Sequence, residues 1–401
     1  MTVRVNKSSF NIREKLSELG RKFGLKGSEL MAAETAQEAG ALLGVGRRNF
    51  IMNSKFDIDQ RFGGSAINHV SGSQNLMDRW STYTNLSNHS SNYDIVNDGP
   101  IDAGIYRSVR ITAAAVSTYS TNQEYQFRQK FEGYDVKRFG WGTYGAKYST
   151  VSFWVKSSIP GKYGVTAFFF GASGADRRFV GEYHINDANT WEYKTVTIPP
   201  LTESINQVNY EANASGMLMW SLGAHSNYEG DSGIWYSSYK MAPTGSVPFF
   251  ATNGATFYLT GVQWELGKVA TQLEHRSYGE ELSLCQRYYQ KIYFTNSDYP
   301  FGYCYTYQQA ASACAVPLAA PMRTSSPDIN FSTLRVRGYN QDGSNGSQAI
   351  TSASGQTQES HALLQLNLGH TNVPSAAVGA SSVLTNGISN SSSYLEIDAE
   401  L

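Results

Sequence analysis

Glu280 and Glu281 are adjacent carboxylates, the residue type that cleaves glycosidic bonds when two of them face each other across a cleft. Neighbours in sequence point to different sides of a helix or strand, so this pair does not form such a site on its own. The seven histidines, His69, His89, His184, His225, His275, His361 and His370, are scattered without HExxH or HxH spacing, and no CxxC is present. Cys285, Cys304 and Cys314 make an odd number without metal-ligand spacing, so buried free thiols are expected rather than a disulfide framework. No G-x-S-x-G stretch sits in a strand-to-helix context, which leaves no nucleophile elbow. The chain is therefore read as a non-enzyme, with no cofactor and no metal.

Aromatic residues in glycine-rich loops offer binding rather than bond-breaking. In RFGWGTYGAKY (138–148), Trp141 and Tyr144, followed by Tyr148, lie among glycines that cannot bury them locally. GIWYSSYK (233–240) is the second such stretch, with Trp235, Tyr236 and Tyr239. Flat rings of this kind stack on the C–H faces of sugars, but they are enriched at subunit interfaces and in cores for the same physical reason. Interface, glycan and core remain open for both loops. MDRWS (77–81) reads instead as structural, with Trp80 plugging a sandwich end and Asp78 paired with Arg79.

Those loops need a scaffold, and the hydrophobic period says which. Residues 1–48 read as a helical arm: Ile12, Leu16, Leu19 and Phe23 fall on one stripe, Gly24 and Gly27 break it, and Ser28 can cap an Ala-rich second helix. Neither helix is long enough to stand alone, so the stripe must dock, on the body, on sister chains or on another partner, with a homotrimer as the expected self-association. From Asn49 the period becomes two. Strands are expected at 151–158, 163–171, 177–185, 192–199, 216–224 and 256–267, where Val151, Phe153 and Val155 alternate with Ser152, Trp154 and Lys156. A β-sandwich over 49–276 and a smaller β-domain over 277–401 follow, with YNQDGSNGSQAITSASGQTQES (339–360) expected as mobile loops or surface turns.

Bulk properties agree with a β-rich structural chain. Charged residues make up only 16% and tyrosines number 26, a ring suited to half-buried strands and wet interfaces. The net charge of -1 gives no overall electrostatic case for nucleic acid or an anionic membrane. Residues 1–50 carry nine Lys/Arg against five Asp/Glu, a local +4, whereas no basic residue follows Arg337. The opening MTVRVNKSSFNIREKL has no apolar leader region and no stretch is apolar enough to span a bilayer, so a soluble protein made without a signal peptide is expected.

Four stretches resemble signatures of bacteriophage tail-fibre and related virion proteins of marine podovirus type. FNIREKLSEL with GSELMAAETAQEAGALLGVGRRNFIMNSKFDIDQR resembles a helical start followed by the entry into a first β-domain. MDRWS is the second landmark. TGVQWELGKVATQLEHRSYGEELSLCQRYYQK (260–291) is the most specific, being similar to the GVQLE-G-AT-FE-R-GEEL-CQRYY hinge that joins a jelly-roll of carbohydrate-binding-module type to a small C-terminal β-domain. PLAAPMRTSSP (317–327) and the terminal IDAEL (397–401) make the fourth. The resemblance implies a jelly-roll, galactose-binding-like sandwich in a virion component: a tail fibre or fibre-like appendage, or alternatively a capsid-bound fibre or decoration protein. It implies other virion proteins as partners through residues 1–48 and a host surface glycan as a possible ligand; a glycan-degrading spike is the remaining alternative. Modules of this type often place an acidic calcium ligand before the hinge, where this chain has Thr260.

Overall fold

The structure is a computed structural model describing residues 47–171, 174–203, 212–294, 302–308, 310–339, 345–357, 362–370, 381–386 and 393–401. The stripe of Ile12, Leu16, Leu19 and Phe23 lies outside the described residues. The chain enters its β-region through β1 (Ile67–His69), β2 (Gly72–Asn75), β3 (Ser81–Thr84), β4 (Ser91–Val96), β5 (Ser108–Ala113) and β6 (Glu124–Glu132). A short helix, α1 (Gly133–Val136), leads to β7 (Ser149–Ser157), β8 (Gly161–Phe169), β9 (Arg177–Ile185), β10 (Glu192–Ile198) and β11 (Ala214–Ala224). Then come β12 (Glu229–Gly230), β13 (Ile234–Tyr236), β14 (Ala242–Pro243) and β15 (Thr256–Leu266).

Two antiparallel sheets stack as a jelly-roll sandwich. One runs β1-β4-β5-β15-β7-β10 and the other β13-β9-β8-β11-β6-β3-β2. Alternation decides which side chains meet between them: Val151, Phe153 and Val155 of β7 are fully buried against Leu218, Trp220 and Leu222 of β11 and Phe127 and Phe131 of β6 in one core cluster. The expected strands coincide with β7 to β11 and β15 to within a few residues. Thr260 sits in β15, its hydroxyl donating to the Arg107 carbonyl at 2.6 Å.

Helix α2 (Tyr278–Gln286) turns the chain into a second, smaller β-unit. Its strands are β16 (Tyr289–Phe294), β17 (Gly302–Gln308), β18 (Ala311–Pro317), β19 (Asp328–Ser332), β20 (Leu334–Tyr339), β21 (Asn345–Thr357), β22 (Leu363–His370), β23 (Ser381–Asn386) and β24 (Ser393–Asp398). β17-β18-β22-β21-β20-β23 close into a barrel around Leu334, Leu364, Leu366, Leu368 and Leu384, beside a three-stranded sheet β16-β24-β19. The stretch expected as loops is corrected here: residues 345–357 form the long strand β21. Of its inward residues only Ile350 is large and apolar, while Ala353 and Gly355 are too small to announce an apolar alternation, and small side chains are what a narrow barrel interior accepts. The cysteine reading is corrected too. Cys304 and Cys314 stand directly opposite on β17 and β18 and form a disulfide, leaving Cys285 as a buried free thiol.

Candidate functional site

The two carboxylates that first suggested chemistry are structural. Ser277 caps α2 by accepting the Glu280 N–H at 3.3 Å, and Glu280 returns the contact by accepting the Ser277 N–H at 2.8 Å, which completes a capping box. Glu281 faces the other way, is buried, and accepts from the Asn53 N–H at 2.5 Å and from Arg276 Nη1 at 3.3 Å. Arg276 continues to the Ile51 carbonyl at 2.9 Å and to Glu274 at 3.0 Å. Glu274 in turn accepts the main-chain N–H groups of Arg48 and Asn49, both at 2.7 Å. Around this ring a pocket of about 360 Å³ is lined by Asn53, Lys55, Asp57, Arg107, Arg276, Tyr278 and Glu281. Lys55 and Asp57 pair with each other at 3.0 Å, so much of its charge is already neutralised internally.

The same sequence landmarks that are far apart in the chain converge beside α2 into a joint between the two β-units. Asn53, in the left-handed region at φ 54°, donates to the carbonyls of Ile58 and Asp78 at 2.7 and 3.0 Å. Trp80 stacks on Phe127 with ring centroids 4.9 Å apart and donates to the Asn53 carbonyl at 3.1 Å, so it plugs the sandwich as expected. Asp78 and Arg79, however, do not pair. Asp78 accepts from Gln60 N and Nε2 at 2.7 and 2.5 Å, and burial pushes its carboxyl up to about 6. Arg79 adopts φ 70°, which swings its side chain away from Asp78 to stack on Tyr288 and pair with Glu400.

Arg61 makes the matching contact, donating to both oxygens of Asp398 at 2.6 and 3.1 Å while lying 3.9 Å over the Tyr289 ring. Burial alone would lower its pKa, but Asp398 and Glu400 more than offset this and hold the guanidinium charged. Glu132 accepts from Arg287 Nε and Nη2, each at 2.9 Å, and from the Tyr288 hydroxyl at 2.5 Å. Arg323 donates to the carbonyls of Ala399 and Ala212 at 2.6 and 2.9 Å. Paired buried charges of this density are costly to separate, because each would be left without water or partner.

The two aromatic loops divide. Trp141 is a correction as a surface residue: it is 1% exposed, stacked on Phe139 at 4.7 Å and packed 5.6 Å from Trp264. Gly140 and Gly142, at φ 63° and 77°, fold the loop back so that the ring turns inward, where residues distant in sequence bury it. Trp235 is half-buried against Trp141 and Phe179 at 5.1 and 5.6 Å and donates to the Pro199 carbonyl at 3.0 Å. Tyr236 is half-buried over Gly230 and donates to the Asp231 carbonyl at 3.2 Å. Tyr144 alone of the four stands fully in solvent. The structure thus brings Trp141 and Trp235 together as packing and leaves Tyr144 apart.

A polar aromatic patch that the sequence did not disclose lies on the outer face of the seven-stranded sheet. Register puts Tyr83, Gln126 and Ser221 in one row and Ser81, Arg128, Met219 and Thr166 in the next. Tyr239 closes over them, its hydroxyl donating to Glu124 Oε1 at 2.6 Å, with the Arg178 guanidinium 4.7 Å from its ring. Arg128 donates to Gln126 Oε1 and Ser73 Oγ at 2.8 and 2.9 Å. Glu124 Oε2, Arg128 Nε, Arg178 Nε and Ser221 Oγ are buried without a protein partner. Burial raises the Glu124 carboxyl and lowers both arginines. Glu124, Gln126, Arg178 and Ser221 are all buried, so most of the patch is an internal polar network; the polar half of each strand's alternation was the available signal. Among the described residues no three His, Cys, Asp or Glu side chains gather as a metal group.

No family model matches the chain, and no curated protein matches it. Among solved structures it is similar to the enzymatically active domain of tailspike protein 4 of bacteriophage CBA120, at 12% identity over 55% of this chain and a TM-score of 0.29. The chain spans 21% of that domain's length. It is similar also to the family 11 carbohydrate-binding module of the cellulosomal cellulase Lic26A-Cel5E of Clostridium thermocellum, at 13% identity over 52% of this chain and all of that one, TM-score 0.26. A third is TmCBM61 in complex with β-1,4-galactotriose, at 10% identity over 56% of this chain and all of that one, TM-score 0.27.

Proposed function

We propose that the chain is a non-enzymatic structural subunit of a bacteriophage particle, a fibre-like appendage that joins the particle through residues 1–48 and presents its β-units to the host surface. The observation that carries this reading is the joint. The sequence stretches that resemble virion proteins are the same stretches whose side chains lock the sandwich to the C-terminal unit, through Arg61 with Asp398, Arg79 with Glu400 and Arg287 with Glu132. A subunit that must transmit position along an appendage needs such a stiff connection. Glu280 and Glu281, spent on a cap and on an ion pair, support a structural role over hydrolysis.

The test is imaging of particles that carry a tag in the exposed turn at 143–145. Label on a tail appendage supports the reading, label spread over the head lattice replaces it with a capsid decoration role, and unlabelled particles overturn it. Incubation of host polysaccharide with the purified protein separates the enzyme alternative, since loss of viscosity would require a glycan-cleaving spike. Native mass measurement of the full chain reads self-association directly, with a trimer expected.

A further inference from the structure

The outer wall of the barrel carries a second surface, unrelated to the patch on the sandwich. β17 reads GYCYTYQ, and its alternation turns Cys304 and Thr306 inward while Tyr303, Tyr305 and Tyr307 face solvent at 78%, 53% and 39% exposure. Register then fixes what lies beside them. Tyr303 stands opposite Ala315, which stands opposite Gln365, which stands opposite Gln356. One row further along, Tyr305, Ala313, Asn367 and Ser354 follow the same order. The result is a band across the outer wall with a tyrosine rail on β17, small alanines on β18 and an amide rail on β22 and β21.

We infer that this band binds an extended neutral glycan chain. The tyrosine rail offers ring faces to sugar C–H surfaces and the amide rail offers donors and acceptors to hydroxyls, which is the pairing that a polyhydroxylated ring with apolar faces requires. Gln356, Gln365 and Asn367 are all exposed. From β17 to β21 neither row contains a carboxylate, lysine or arginine; on the other side of Tyr303 the same row continues through Val383 to one exposed arginine, Arg337. An anionic polymer, nucleic acid or acidic membrane would need cations there.

Other occupants fit less well. From rail to rail the band measures two strand spacings, about 10 Å, and four residues along β17 give about 13 Å of length, far less area than the roughly 800 Å² per partner that a stable protein interface buries. Addition of a partner strand needs an open edge, and the barrel is closed. The Cys304–Cys314 disulfide ties β17 to β18, so the surface is held in shape before a ligand arrives. The inference does not rest on a virion role, because it concerns the chain in or out of a particle.

Affinity electrophoresis of the full chain through gels containing a neutral glucan, mannan, galactan or xylan, with alginate as the anionic control, tests it. At least one neutral polymer should retard the protein. Tyr303→Ala with Tyr305→Ala should weaken that retardation at least tenfold at an unchanged melting temperature, while Tyr303→Phe with Tyr305→Phe, which keeps the rings, should retain most of it. No retardation by any of the neutral polymers, retardation by alginate alone, or retardation unaffected by the alanine pair would overturn the inference. So would loss of self-association in the alanine pair without any loss of glycan retention, which would make the wall an interface between copies.

Discussion

Arg79 and Glu400, 321 residues apart in sequence, form an ion pair in which neither side chain is more than 8% exposed. Arg79 reaches it from a left-handed backbone position, with its guanidinium over Tyr288 and a second bond to the Lys130 carbonyl at 2.6 Å. Glu400→Ala leaves that guanidinium charged in a site closed to water, which should cost about 3–5 kcal/mol. Urea unfolding followed by one probe in the sandwich and one in the barrel reads the outcome. The parent should show coincident transitions, and the variant should melt its C-terminal unit first. Coincident, unshifted transitions in the variant would mean that the joint is held elsewhere.

Trp141 and Tyr144 sit three residues apart and should behave in opposite ways. Trp141→Ala empties a buried site between Phe139 and Trp264 and should destabilise the sandwich by about 3–5 kcal/mol. Tyr144→Ala removes a ring that stands in solvent and should stay within about 0.5 kcal/mol of the parent. Chemical denaturation of the two single variants is sufficient, and equal losses would contradict the burial pattern.

Much of the sandwich was legible because its strands alternate large apolar with polar residues, as Val151, Phe153 and Val155 do. Strand β21 was not, since glycine, serine and alanine give no contrast between inside and outside. The Cys304–Cys314 pair was hidden for a different reason: it depends on a hairpin register, which spacing in the sequence does not reveal. For Trp141 the sequence left interface, glycan and core open because local glycines predict local exposure, whereas its burial comes from Phe169 and Trp264, tens of residues away or more. The joint was half legible. Its residues were picked out as stretches, but their convergence needed the fold.

Stability should fall on mild acidification through His89. The ring is 5% exposed, bonded to Ser91 Oγ at 2.9 Å and edge-on to Phe250 at 4.5 Å, and burial followed by the neighbouring His69 lowers its pKa to about 4. His69 is lowered too, chiefly by burial. A folded-state value below the ordinary 6.5 means that the unfolded chain binds the proton more readily. The stabilising contribution is therefore complete above about pH 6.5 and is lost as pH falls towards 4, an effect of about 1–3 kcal/mol. Asp78, raised to about 6, works in the opposite sense, since its folded state gains the proton first. The informative measurement is therefore the difference in pH dependence between the parent and His89→Gln, which should lose less stability than the parent, or gain more, as the pH falls below 6.5.

Reduction should loosen the barrel selectively. The disulfide joins residues 10 apart, and closing a loop of that size restricts the unfolded chain by about 2–3 kcal/mol. Cys304→Ser with Cys314→Ser, or treatment with a thiol reductant, should lower the barrel transition and leave the sandwich transition in place. A barrel that melts identically with and without reductant would argue against the pairing.

The last expectation concerns residues 1–48, which lie largely outside the described residues and enter through their sequence alone. Ile12, Leu16, Leu19 and Phe23 fall on one helical stripe, and burying four such side chains would contribute roughly 6–12 kcal/mol before the cost of ordering them. The body can do without the arm: Asn49 is held by Glu274, Arg276 and Trp264, and these contacts begin the sandwich at the point where the helical period ends. Removal of residues 1–46, which keeps Arg47, Arg48 and Asn49 in place, should therefore yield a folded β-protein with an unchanged melting temperature that no longer joins the particle. Leu16→Asp with Leu19→Asp should reproduce the assembly defect in the full chain, because two charges on the stripe cannot be buried against a partner without a large desolvation cost. Particles that incorporate either variant at normal occupancy would place the attachment in the β-units and reverse the proposed orientation of the subunit.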